Sequence, residues 1–254
     1  MGETGFLDLS NRHFLVTGAS SGIGRATALL LSELGARLTI TARNAERLAQ
    51  TLERLNGQGH CQKVFDLDNL DRIPEWLRTT AAEAGPYDGL VHCAGMRVTA
   101  PLRAMSLAKT ETMMRANFLT GVMLGKAFCQ KPCRRDSGSI VFLSSVAAQA
   151  GAPAISGYAA SKAAIEGLVK SMAMELAREG IRVNCVAPGL VKTEMAEEIF
   201  ATLTAEQVAA LEKAHPLGFG TARDVANAIA FLLGDTGRWI TGTTLVVDGG
   251  YLAQ

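Results

Sequence analysis

The segment Phe14-Leu15-Val16, running into Thr17-Gly18-Ala19-Ser20-Ser21-Gly22-Ile23-Gly24, constrains this chain more than any other. Its apolar residues read as a short buried strand, and a helical pattern begins near Arg25. Strand, glycine-rich turn and helix in that order build a phosphate site. Glycines let the backbone turn tightly and approach a ligand. The helix start offers unpaired N–H groups and a positive dipole end to a pyrophosphate. Plain turn glycines would serve a turn equally well. The strand before and the helix after favour the phosphate reading of Gly18, Gly22 and Gly24.

The remainder of the chain alternates in the same way. Strands are predicted at Arg37 to Thr41, Cys61 to Phe65, Gly89 to Cys93, Ser139 to Leu143, Ile181 to Val186 and Thr244 to Val247. Helices are predicted at Ala45 to Leu55, Ile73 to Ala82, Leu107 to Phe128, Tyr158 to Arg178 and Ala222 to Leu233. Such alternation implies an α/β fold, a doubly wound parallel sheet with helices on both faces. Ligands in such sheets sit at the carboxyl ends of the strands. No Pro/Gly/Ser-rich linker, repeat or composition break divides the 254 residues, so one Rossmann-type domain is expected over residues 1–254.

A second motif carries chemistry. Tyr158-Ala159-Ala160-Ser161-Lys162 sets a phenol and an ammonium four residues apart, on one face of a helix. A nearby ammonium favours phenolate and lowers a tyrosine pKa, which suits proton transfer near neutral pH. The pair alone is common on solvated helices. Ser145 lies thirteen residues upstream, after the apolar run Ile140-Val141-Phe142-Leu143.

Taken together, the glycine turn, the serine and the Tyr-x-x-x-Lys pair resemble the short-chain dehydrogenase/reductase family, and within it the β-ketoacyl-ACP reductase type. The resemblance runs from about Leu9 to Gly250 and includes Asp66, Asn117, the stretch Ile181 to Gly189 and Val246-Val247-Asp248-Gly249-Gly250. It implies that Tyr158 passes the proton, Ser145 polarises the carbonyl, Lys162 tunes the phenol and binds the nicotinamide ribose, and Asn117 supports a proton relay through a water. Spacing to the tyrosine selects Ser145 rather than Ser144. The resemblance further implies a dinucleotide held by Gly18, Ser20, Ser21, Gly22, Ile23 and Gly24. Asp66 and Leu67 would meet its adenine, although an aspartate after a strand is also a common turn residue. Ala94 and Gly95 would pass close to the ribose, and Pro188, Gly189, Val191 and Thr193 would meet the nicotinamide.

The end of the second strand sets cofactor choice. An acidic residue there would bind ribose hydroxyls and repel a 2′-phosphate. This chain has Ala42 and then Arg43, whose guanidinium suits a phosphate, so NADP(H) is expected. Two departures stand out. Ser21 occupies a position where many NADP-dependent relatives carry a second basic residue. His92-Cys93 replaces the Asn-Asn that relatives show, so no polar bridge between the central strands is expected there. A lid is expected over about residues 190–215. In it Met195, Ile199, Phe200 and Leu203 have helical spacing, which suits lining an apolar pocket or packing the lid down.

Composition excludes several classes. A net charge of +1 gives no broad attraction to nucleic acid or membrane. Arg134-Arg135 is the only tight basic pair, expected in a solvated loop. Five scattered cysteines suit free thiols in a reducing compartment, and the four histidines stand at no zinc-site spacing, so no metal is expected. Neither a secretory signal nor a membrane span is expected, and the cytoplasm is the default compartment. The reading is an NADP(H)-dependent oxidoreductase interconverting a carbonyl and a secondary alcohol. On the resemblance its substrate is a 3-oxoacyl thioester, carried on acyl carrier protein or CoA; the alternatives are alcohol, sugar or steroid dehydrogenases with the same site, and a non-catalytic dinucleotide-binding protein. Relatives use the helices around Leu107–Phe128 and Ala159–Ala177 for oligomerisation, which implies a homotetramer or a dimer.

Overall fold

The computed structural model describes residues 7–253. Its first half runs β1 (His13–Thr17), α1 (Gly22–Glu33), β2 (Arg37–Ala42), α2 (Ala45–Leu52), β3 (Cys61–Val64), α3 (Ile73–Ala84) and β4 (Tyr87–His92). The second half runs α4 (Leu107–Met114), α5 (Thr120–Phe128), β5 (Arg134–Leu143), α6 (Ser156–Leu176) and β6 (Ile181–Pro188). It closes with β7 (Val191–Lys192), α7 (Glu194–Phe200), α8 (Ala205–Lys213), β8 (Gly220–Thr221), α9 (Ala222–Leu233) and β9 (Thr244–Val247).

Seven strands pair in the order β3-β2-β1-β4-β5-β6-β9, parallel throughout. The order reverses between β1 and β4, which opens a crevice at the carboxyl ends of these strands. Both sheet faces are covered. Leu31 of α1 and Val225 and Ile229 of α9 pack on one side. Leu77 of α3, Phe128 of α5 and Ile165 and Val169 of α6 pack on the other. Two covered faces explain why β1 is buried at every position and why the central strands read as continuous apolar runs rather than alternating ones.

At the reversal the backbones nearly touch. Gly18 has φ +67°, and a Cβ there would lie 2.7 Å from the Ala94 nitrogen. Only glycine meets both demands. The predicted helix Leu107 to Phe128 is interrupted by one π turn at Arg115–Leu119, which carries Asn117. The helix predicted near Arg25 starts at Gly22, so the glycine turn enters the helix itself.

Arg134 corrects the expectation of a solvated basic pair. It opens β5, is buried, and its guanidinium pairs with Glu179 while donating to the Arg135 and Asp136 carbonyls. A buried guanidinium needs this set of acceptors. No helix among the described residues is long and apolar enough to cross a membrane.

Candidate active site

A cleft of about 670 Å³ follows the carboxyl ends of the strands. Gly18, Ser20, Ser21, Gly22, Ile23 and Gly24 line one stretch of it. Arg43, Asp66 and Leu67 line the end beyond β2 and β3, while Ala94 and Gly95 line the middle. Ser145, Tyr158 and Lys162 line the far end together with Pro188, Gly189, Val191 and Thr193. Among the expected catalytic and cofactor-binding residues, Asn117 alone does not line the cleft.

The glycine turn fits a dinucleotide phosphate. Ser21 caps α1 without a side-chain hydrogen bond, and the first turn carries no acidic residue. The start of α1 is therefore electropositive and needs an anion. Glu194 supplies one: its carboxylate accepts from the Gly22 N–H at 3.0 Å and lies 3.6 Å from the Arg25 guanidinium. A carboxylate thus stands where a phosphate would be held. Gly24 completes the cradle, because a Cβ on it would come within 2.2 Å of the Gly18 carbonyl oxygen.

The rim beyond β2 is basic and exposed. Arg43, Asn44 and Arg47 line it, and neither guanidinium makes a hydrogen bond or ion pair among the described residues. Arg47 was not singled out in the sequence. Its spacing of four residues from Arg43 at the start of a helix is the signal that would have found it. Asp66 lines the cleft and also closes a turn, its carboxylate accepting from the Asp68 N–H at 3.1 Å, so both readings of this residue describe the same side chain.

At the buried end, α6 delivers Tyr158 and Lys162 on one face. The Lys162 ammonium donates to the Leu143 carbonyl at 2.8 Å and sits 5.8 Å from the Tyr158 ring centre. Burial pushes the Lys162 pKa down to about 8. The phenol departs from the expectation. Burial raises the Tyr158 pKa, while a hydrogen bond from Ser145 and the charge of Arg97 pull it down. In this structure the serine and an arginine, rather than the lysine, offset the cost of a buried phenolate, because Lys162 is turned toward the end of β5.

The two adjacent serines separate cleanly. Ser144 is buried and bonds the Lys162 carbonyl and Glu166, which fastens β5 to α6. Ser145 caps the short turn that follows and faces the phenol. Asn117 is buried in the π turn. It accepts from the Met96 N–H at 2.8 Å and donates to the Met96 carbonyl and the Ser161 hydroxyl, both at 2.9 Å. It ties the loop after β4 to α6, directly beneath Gly95 and Lys162.

His92 corrects the expectation for the central strands. Its Nδ1 shares a 2.8 Å hydrogen bond with the Thr17 hydroxyl, so a polar bridge between β1 and β4 exists although both asparagines are missing. Burial drives the His92 pKa down to about 3 and lifts the Cys93 thiol to about 12, so neither group is charged at neutral pH. In the segment expected to form a lid, the two roles of the apolar residues divide. Met195 and Ile199 line the cleft, whereas Phe200 packs on Phe219 at 5.3 Å between ring centres.

The family described as enoyl-(acyl carrier protein) reductase matches residues 18–252. The chain belongs to the short-chain dehydrogenase/reductase family. A 3-oxoacyl-[acyl-carrier-protein] reductase of Rickettsia conorii is 34% identical over 247 residues, covering 97% of this chain and 99% of that relative. Gluconate 5-dehydrogenase of Gluconobacter oxydans is 33% identical over 253 residues, covering 98% of each. A solved short-chain dehydrogenase/reductase from Mycobacterium ulcerans superposes with a TM-score of 0.91 at 30% identity, covering 98% of this chain and 92% of that one. This short-chain dehydrogenase/reductase is therefore an oxidoreductase of the carbonyl/alcohol type that works with a nicotinamide dinucleotide.

Proposed function

We propose that the enzyme uses NADP(H) to interconvert a 3-oxoacyl compound, as a thioester or as the free acid, and its 3-hydroxy form. The observation that carries this reading is the layout of one cleft. Its exposed end is a phosphate-suited arginine rim without a carboxylate at the end of β2, and its buried end holds Ser145, Tyr158 and Lys162 together. NADPH, when bound, supplies the hydride. Gly18, Ser20, Ser21, Gly22, Ile23 and Gly24 would hold its pyrophosphate. Arg43, joined by Arg47, would grip the 2′-phosphate through charge-assisted bonds. Asp66 and Leu67 would meet the adenine, and Pro188, Gly189, Val191 and Thr193 the nicotinamide end.

The chain's own residues carry the proton. Ser145 donates a hydrogen bond to the carbonyl oxygen as negative charge builds there. Tyr158 gives that oxygen its proton. Ser145 and Arg97 lower the cost of the phenolate left behind, and Lys162, held on the Leu143 carbonyl beside the phenol ring, would bind the nicotinamide ribose. Asn117 holds the loop and helix on which a relay to solvent would run. The segment from 190 to 215, built from α7 and α8, acts as a lid that excludes water.

A second reading, oxidation or reduction of a sugar acid, is favoured by the equal similarity to a gluconate 5-dehydrogenase. Five free thiols suit a reducing compartment and support work in the cytoplasm. Leu107 and Met174 lie 74% and 82% exposed on α4 and α6, which supports pairing of these helices in a homotetramer. The test of function is NADPH consumption by the purified protein with 3-oxoacyl thioesters, sugar acids and simple ketones. Turnover of a 3-oxoacyl compound is expected; NADPH binding without turnover of any carbonyl would overturn the reading.

A further inference from the structure

Four cations line the cleft: Arg43 and Arg47 at the rim, Lys162 beneath the phenol, and Arg97 in the loop after β4. The first three have work in the reading above. Arg97 has only its effect on the Tyr158 phenol. Its guanidinium carbon lies 5.8 Å from the Tyr158 ring centre. Its Nε is buried without a hydrogen-bond partner, and the side chain makes no ion pair or hydrogen bond among the described residues. The acids that line the cleft are Asp66, Asp68 and Glu194, and these belong to the adenine and phosphate stretches. The same cleft is lined by the short apolar side chains of Ala147, Ala150 and Ala152, from the segment between Ser145 and Tyr158.

A guanidinium stays charged when partly desolvated, so one without an anion is costly in such a place. Its planar fork matches a carboxylate through two parallel bonds. Small side chains in this lining leave room for a compact group rather than filling it. We propose that Arg97 selects a carbonyl substrate that bears its own carboxylate, a short oxo acid or the matching hydroxy acid. This rests on the carbonyl-reductase reading and decides between its substrate classes, favouring the free acid over the thioester. Arg97 acts by holding the anion while Ser145 and Tyr158 engage the ketone. It also lowers the phenol pKa, an effect that every ketone would share.

The test compares oxopentanoic acids with the ketone at carbon 2, 3 or 4, each against its methyl ester and its N-acetylcysteamine thioester, with NADPH as reductant. In the wild type at least one acid is expected to exceed its ester and thioester in kcat/KM by about 100-fold, toward the upper end for a hydrogen bond to a charged group. Arg97→Gln should collapse that ratio, chiefly through KM for the acid, and Arg97→Lys should restore part of it. A wild type that reduces ester or thioester as well as the acid would overturn the inference while leaving the reductase reading intact. An equal loss on acid and ester in Arg97→Gln would also overturn it, and would make Arg97 a residue that tunes Tyr158. No reduction of any of these ketones would overturn both this inference and the proposed function on which it rests.

Discussion

The two ends of the cleft carry the same charge under opposite conditions. At the rim, Arg43 and Arg47 are exposed, and their guanidinium groups reach no partner among the described residues. At the buried end, Lys162 is only 6% exposed, and burial holds its pKa down to about 8. Water screens the rim charges, so they attract a phosphate without straining the fold. Desolvation makes the inner charge expensive and therefore responsive, since a cation that titrates near neutral pH can support proton transfer. One end suits recognition and the other suits chemistry, because solvent bathes the rim guanidinium groups while the buried group is a lysine, whose charge responds to desolvation.

The sharpest way to break this contrast is at the phenol. Tyr158→Phe keeps the ring and removes the proton donor, so kcat should fall at least ~10²-fold with NADPH affinity little changed. Turnover close to wild type, followed by NADPH absorbance, would remove the chemistry from the buried end.

Lys162→Met should separate activity from stability. Activity should fall by about 10²-fold on the scale of general acid–base catalysis. Stability should move the other way. The folded pKa of about 8 lies below the ordinary lysine value of 10.5, so the fold disfavours the charged form. That penalty is fully present below about pH 8 and fades as the pH rises through 10.5. Urea unfolding at pH 7 should therefore show the variant more stable, by on the order of 3 kcal/mol at most, with the gain vanishing in alkali. A less stable variant at pH 7 would show that the bond to the Leu143 carbonyl outweighs the desolvation cost.

The rim should respond more mildly. Arg43→Ala should cost about 1–2 kcal/mol of NADPH affinity, the lower part of the range for bonds to charged groups because the site is exposed. Arg47→Ala should cost less, about 0.5 kcal/mol. NADH, without the 2′-phosphate, should barely notice either change. Fluorescence titration of both cofactors checks this, and equal losses for the two would make the arginines structural.

The fold was legible because its signals are local. Buried parallel strands read as apolar runs, and the glycine turn, read with the strand before it and the helix after it, marks the entry into α1. Element ends were less legible: the helix after the turn begins at Gly22 rather than near Arg25, and β5 begins at Arg134 rather than Ser139. The break at Asn117 was signalled only by a poor helix former within a helical stretch. Arg134, His92, Arg97 and Glu194 were missed for one shared reason. Each owes its role to a group distant in sequence: Glu179, Thr17, Tyr158 and Gly22 respectively. Pairing across such separations leaves no periodic trace in the chain.

The central claim is that one cleft chooses its cofactor at the exposed end and reacts at the buried end. Steady-state kcat/KM of the wild-type enzyme for NADPH and for NADH, with one ketone it reduces, tests both ends at once. NADPH should be preferred by at least about 10-fold, the factor that corresponds to ~1.4 kcal/mol. A preference for NADH would contradict the account, because it would show that the arginine rim beyond β2 does not read the phosphate.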